Sequence, residues 1–218
     1  FEVIVVDNAS TDGSLGLIQR EFGRNPKVKL LRNRVNVGFA KASNQAAKLS
    51  RGEYLLFLNS DTLIDPSSIS TLVEAMQSDK SVAVAQPKLL LMNTDPPLID
   101  STGDLMDPYG NGYRRGVGLV DQRQFDNKTK EIFSARGAAM IVKRAEFINS
   151  GMFDEDFFLY LEDMDFCWRI RLHGKSVKYV PSAVAYHAAA GSRHRSMLAT
   201  TWFHVVKNQI AMITKNYS

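Results

Sequence analysis

The sequence predicts a three-layer α/β domain, and three observations carry that prediction. Near-continuous apolar runs of strand length recur through residues 1–91, with helix-length segments between them. Two of those runs end in a carboxylate and a polar turn, at Asp7 and at Asp61. A chain of 218 residues, 44% hydrophobic and 23% charged, is long and apolar enough to bury one substantial core.

The elements follow in order. Strands are expected at Glu2–Asp7, Lys27–Arg32, Tyr54–Asn59 and Val82–Leu91, then at Ala138–Lys143 and Ser176–Tyr186, the last interrupted by Pro181. The earliest are apolar on both faces, as central strands covered by helices are. Helices are expected at Asp12–Phe22 behind a Ser10/Thr11 cap and at Phe39–Leu49 before Gly52. Another covers Ser67–Gln77, where Asp65-Pro66 supplies a cap and then proline at the first helical position. The last two are Leu161–His173 and Ser196–Lys215. Residues 92–135 break the rhythm with Pro96, Pro97, Pro108 and a run of glycines, and read as a long loop of the kind that carries function. The whole reads as one domain, with 1–91 as a ligand-binding half and 92–218 as a second half ending in a helix.

Cys167 is the sole cysteine, so no intrachain disulfide or multi-cysteine zinc site can form, and a reducing compartment, the cytoplasm, is the expected location. Its apolar, aromatic neighbours mark it as a core residue. Lys+Arg of 27 against Asp+Glu of 23 leaves a net charge of +4. That suits phosphate-bearing ligands or an anionic membrane surface and is too weak to argue for nucleic acid. No apolar run reaches the length of a membrane span, and no basic-then-apolar leader opens the sequence.

Four clusters can carry chemistry. Asp7 and Asn8 close an apolar strand and lead through Ser10, Thr11 and Asp12 into a helix, which fits a ligand site at a strand end or plain helix capping. Asn59-Ser60-Asp61 ends the most apolar strand; Asp61 suits a hard divalent cation shared with phosphates, while the triplet also suits a turn. Between Phe153 and Arg169, acids alternate with aromatics, a setting for a partly desolvated general base. There Glu162, Asp165 and Arg169 share a helix face, Asp165 and Arg169 can pair, and Asp163 points elsewhere. Tyr186-His187 ends a strand before Gly191-Ser192-Arg193-His194-Arg195, where His187 can meet a metal or phosphate, or serve the fold. No dinucleotide fingerprint, P-loop, nucleophile elbow or H-E-x-x-H motif is present.

Taken together, the ordered pieces VVDNASTDGS, NVGFAKASNQA, YLLFLNSD, GAAMIVKRAEF, FDEDFFLYLEDMDFCWRIRLHG and VAYHAAAGS resemble the family-2 glycosyltransferases of GT-A fold, in particular the rhamnosyltransferase-like branch. The resemblance implies a three-layer α/β/α fold with a mixed, mostly parallel sheet, and it sets the family's opening strand before Phe1, outside this sequence. It implies inverting transfer of a sugar from a nucleoside diphosphate sugar, dTDP-rhamnose among the donors, to a glycan or lipid-linked acceptor, with Mg²⁺ or Mn²⁺ as cofactor. Asp7 and Asn8 would meet the base and ribose. Asn36, Gly38 and Asn44 would line the nucleotide-sugar site, with Asn59 and Ser60 beside it. Asp61 would hold the metal, and Asp163, paired with Glu162, would be the base. The metal motif opens with Asn59 where the family has an acid, which removes one negative ligand. The competing classes are a non-catalytic nucleotide-sugar or glycan-binding relative and a nucleotide-sugar pyrophosphorylase. The latter's Gly-rich phosphate loop is missing from the sequence, while Asp61 and Asp163 speak against a degenerate binder. A helical stripe in Ser196–Lys215 suits either core packing or a membrane surface.

Overall fold

The computed structural model describes residues 1–189 and 198–217. The cluster Gly191–Arg195 and the first residues of the last expected helix lie outside the described residues. β1 (Val3–Asp7) and β2 (Val28–Arg32) pair in parallel, with α1 (Ser14–Phe22) as their crossover. The cap of α1 differs from expectation. Asp12, not Ser10 or Thr11, accepts the Ser14 backbone N–H at 3.0 Å.

Among the described residues the main sheet has seven strands. Its path runs β3 (Tyr54–Leu58), β10 (Ala139–Lys143), β5 (Val82–Leu91), β11 (Ser176–His187) and β4 (Thr62–Ile64). β6 (Ile99–Ser101) adds to β5 and β9 (Lys130–Glu131) to β11, while β7 (Asp104–Met106) and β8 (Gly112–Arg114) form a separate hairpin. The mixed sheet is present, but it leans antiparallel: β10 opposes both β3 and β5, β11 opposes β4, and β5–β11 is the parallel pair on that path. Pro181 does not break β11. A register shift between Val180 and Val184 absorbs it, as bulges commonly do for strand prolines. The stretch 92–135, expected as a loop, holds four of these short strands. Segments of two or three residues are too short to show alternation, and the prolines and glycines around them mask the rest.

Alternation of side chains across the strands builds the three layers, except at Ala83–Val84 of β5, where a register shift against β11 puts Val82 and Val84 on opposite faces. Val84, Met140, Val142 and Val177 face α2 (Phe39–Leu49) and α5 (Glu162–Leu172), through Ala40, Ala47, Phe166, Cys167 and Ile170. Val82, Ala85, Ile141 and Val180 face α3 (Ser68–Ser78), through Leu72 and Met76. Phe57, Phe147, Phe153 and Phe166 meet in tilted and edge-on pairs with centroids 5.0–5.6 Å apart. Each fully buried ring of this kind contributes about 1.5–3 kcal/mol. Cys167 lies fully buried in this cluster, and burial pushes its thiol upward. α4 (Arg144–Asn149) and α6 (Leu198–Asn216) complete the fold.

This topology gathers the polar residues at one end. β5 and β10 are antiparallel neighbours, so the excursion joining them leaves and returns at one end of the sheet, with β9 reaching back along β11 to Lys178 and Tyr179. The ends of β3 and β11 and the start of β10 lie there too. Asn59–Asp61, His187 and Arg136-Gly137 are thereby brought to a common rim.

Candidate active site

The first group of the rim is a chain of charges. Asp61 Oδ1 lies 3.3 Å from His187 Nε2, and His187 Nδ1 lies 2.9 Å from Asp100 Oδ2. Arg114 Nη1 donates to the other oxygen of Asp100 at 2.5 Å. Asp61 follows β3 and its carbonyl accepts the Ala188 N–H at 2.9 Å, which fastens it to the end of β11. Burial alone would raise the Asp100 carboxyl. The His187 hydrogen bond and the charges of Arg136 and Arg114 outweigh it and hold the group below its ordinary value.

An acid and an imidazole at this separation fit a divalent cation. Ligand bonds of roughly 2.1 Å at right angles put two donor atoms about 3 Å apart. Among the described residues no three His, Cys, Asp or Glu side chains gather into a complete cage. Mg²⁺ and Mn²⁺ sites commonly take one or two protein ligands and finish the shell with phosphate oxygens and water.

The second group surrounds the start of α5. Asp163 is half-buried; its Oδ2 accepts the Gly137 N–H and its Oδ1 the Met164 N–H, both at 2.8 Å. Glu162 is only 5% exposed, and its Oε2 has no hydrogen-bond partner. Burial first, then the charge of Asp163, pushes Glu162 up to about 8. The desolvated acid of this segment is therefore Glu162, not Asp163, where the aromatic surroundings set the expectation. Asp165, fully buried, pairs with Arg169 at 2.9 Å as expected, and also takes Asn216 Nδ2.

The same group holds two residues that the sequence pattern does not single out. Arg136 Nη1 reaches Asp104 Oδ2 at 3.1 Å, and its backbone N–H is held by Gln86 Oε1 at 2.8 Å. Burial raises Asp104, with Arg136 offsetting part of that shift. The Arg136 guanidinium, which burial alone would lower, is held above its ordinary value by Asp104, Asp163 and Asp100. The one signal for Arg136 is its place before the apolar run Gly137–Val142, where a cation needs an acid partner. Asp104 lies in the stretch expected as loop and has none.

The two groups share one turn. Asn59 N donates to Ala138 O at 3.1 Å, while Gly137 N serves Asp163. Residues 136–138 thus join Asn59, two residues before Asp61, to Asp163; Ser60 is exposed beside Asp61.

A third group stands at the end of β1. Asp7 is 4% exposed and its Oδ2 has no hydrogen-bond partner. Asn8 is a cross-brace: Oδ1 accepts from Val37 N and Asn33 Nδ2, and Nδ2 donates to Asn36 Oδ1 at 2.8 Å and to Gly38 O. Gly38 has φ +86°, and a Cβ there would lie 2.6 Å from Phe158 O. Only glycine allows that approach. Asn44 stands apart from the expected nucleotide lining. It is 1% exposed, with its amide bonded in both directions to the Phe153 backbone, so it braces α2 against that loop.

With the geometry in place, similarity adds identity. The model of "Glycosyl transferase family 2" matches residues 1–96, and that of "Glycosyl transferase family group 2" matches residues 54–199. The chain belongs to the family-2 glycosyltransferases. An N-acetylglucosaminyl-diphospho-decaprenol L-rhamnosyltransferase of Mycobacterium tuberculosis is 27% identical over 88% of the chain and 68% of that relative. Among solved structures, GalNAc-T7 with UDP, GalNAc and Mn²⁺ superposes with a TM-score of 0.74 at 19% identity, over 98% of this chain and 41% of that one. A mannosyltransferase from Pyrobaculum calidifontis with GDP-Man and Mn²⁺ gives 0.67 at 19% identity, over 98% and 55%. This family-2 chain thus spans about half of the solved proteins it matches, and they bear out the GT-A fold.

Proposed function

We propose that the chain transfers a sugar, with inversion, from a nucleoside diphosphate sugar to an acceptor hydroxyl in cell-surface polysaccharide synthesis. One observation carries the reading: a metal-capable Asp61–His187 pair and a hydrogen-bonded, half-exposed Asp163 flank one turn. Residues 1–91 would take the donor, with the unpartnered Asp7 Oδ2 available to a donor N–H or O–H of the nucleotide, and 92–218 the acceptor. A divalent metal held by Asp61 and His187 would neutralise charge developing on the diphosphate. As the acceptor oxygen bonds the anomeric carbon, its proton passes to Asp163, and the bond to the diphosphate breaks with its electron pair leaving on oxygen. Asp163 suits that role because it reaches the surface; Glu162, raised and enclosed, holds its proton near neutral pH.

The rhamnosyltransferase relative favours a deoxysugar donor such as dTDP-rhamnose and a lipid-linked acceptor. α6 supports the second part. Trp202, Phe203, Val206 and Ile210 are 48–65% exposed along it, and no described helix is long and apolar enough to cross a membrane. Such a face suits contact with an anionic membrane from the cytoplasmic side. Full-length protein should release nucleotide from UDP-, GDP- or dTDP-sugars with Mn²⁺, faster with acceptor present. Donor binding without turnover under any of these conditions would favour the non-catalytic reading. Trp202→Ala should weaken co-sedimentation with anionic vesicles.

A further inference from the structure

The stretch 92–135 contributes to the metal-capable pair without touching the position between its two members. Asp100, on β6, is 1% exposed and takes His187 Nδ1 at 2.9 Å. Its second oxygen is held by Arg114 of β8 at 2.5 Å. Both carboxylate oxygens are thus engaged, and the carboxylate cannot turn away. β6 itself is pinned to β5 by Leu89↔Ser101 and Leu90↔Ile99, one strand from β11, which carries His187.

An imidazole has two nitrogens, and the one that keeps the proton cannot bind a cation. A buried carboxylate at Nδ1 draws that proton to its own side and leaves the Nε2 lone pair toward Asp61. It also fixes the ring plane. Outer carboxylates of this kind typically set metal affinity by 10–100-fold.

We infer that Asp100 is a positioning residue for divalent-cation binding: through Nδ1 it orients His187 so that Nε2 and Asp61 Oδ1 present a preformed pair of ligands. Arg114 is the outer support of the same arrangement. The inference rests on the metal reading of Asp61 and His187, and the test separates the two.

Mn²⁺ binding to the full-length protein, followed by electron paramagnetic resonance without nucleotide or turnover, is the readout. Asp61→Ala and His187→Ala should each abolish or strongly weaken binding; Mn²⁺ affinity unaffected by both would sink the metal reading itself. Asp100→Asn keeps the shape and removes the charge, and should weaken binding by about tenfold or more, with Asp100→Ala weaker still. In a His187→Ala background Asp100→Asn should cost nothing further. Wild-type affinity in Asp100→Asn, or a loss that persists without His187, overturns the role of Asp100 while leaving Asp61 and His187 as ligands. Wild-type protein gives a check that needs no variant. In metal-free protein, at a pH where the ring is neutral, the ¹⁵N spectrum of His187 should carry its proton on Nδ1, and a proton on Nε2 in that state overturns the role of Asp100.

Discussion

The two sides of the 136–138 turn are built by opposite means. On the proposed metal side, Asp61 precedes β4 and His187 closes β11, with His187 opposite Thr62 in an ordinary antiparallel ladder. The sheet sets the separation of their backbones, and Asp100 fixes the His187 ring. On the proposed base side, three non-glycine residues just before α5 have positive φ: Phe158 at 60°, Tyr160 at 71° and Leu161 at 67°. Left-handed backbone at such bulky residues costs on the order of 1 kcal/mol or more each. It persists because α6 holds it. Asn208 Nδ2 faces the carbonyls of Phe157, Leu159 and Tyr160 at 2.7–2.9 Å, and His204 stacks on Phe158 with centroids 5.3 Å apart. A metal needs two ligands at a fixed spacing, which strand ends provide. A base needs a carboxylate aimed past its own helix, and that direction requires backbone no regular element offers.

The sharpest break in this comparison is chemical. Asp163→Asn keeps the shape and the bond from Gly137 N, gives up the bond from Met164 N, and removes the proton acceptor. Turnover should fall by roughly 10²–10⁴-fold with donor and Mn²⁺ affinity unchanged. Steady-state rates beside calorimetric donor binding measure both. Near-normal turnover together with an inactive Glu162→Gln would move the base to Glu162.

Asn208→Ala attacks the strained side without touching a charge. Buried carbonyls left without their donor cost about 1–3 kcal/mol, read by urea unfolding. The rate at saturating donor should also fall, while Mn²⁺ binding at Asp61 stays. Lost stability with an unchanged rate would make Asn208 a brace of the fold alone.

The same contrast explains what is legible in the sequence. Asp61 and His187 sit where long apolar runs end, so the strand pattern by itself points to them. The Asp165–Arg169 pair follows from helical spacing. Asp100, Asp104 and Arg114 stay hidden because they ride on strands of three residues in a Pro/Gly-rich stretch. The aromatics around α5 announce a desolvated acid, but the expectation set it at Asp163 and the carboxyl that turns inward is Glu162. That depends on the left-handed Leu161 immediately before the helix, and no propensity predicts a leucine there.

Glu162 provides the mildest test of how far the base side departs from the metal side. Its folded-state pKa stands near 8 against an ordinary 4.5, raised first by burial and then by Asp163. An acid raised in this way holds more protons folded than unfolded throughout that window. Its penalty is absent below the unfolded value, grows as pH rises through the window, and is complete above the folded value. Glu162→Gln is neutral in both states and never ionises. Thermal melts from pH 5 to pH 8.5 should therefore show wild type and variant converging at the acid end. The variant should gain on wild type steadily toward pH 8, by a few degrees. Only the difference between the two curves is diagnostic, because Asp104 and Asp100 titrate in both proteins. A difference that stays flat with pH, or widens toward acid, would mean that Glu162 is ionised in the folded protein, and the proton in this pair would then have to be assigned elsewhere.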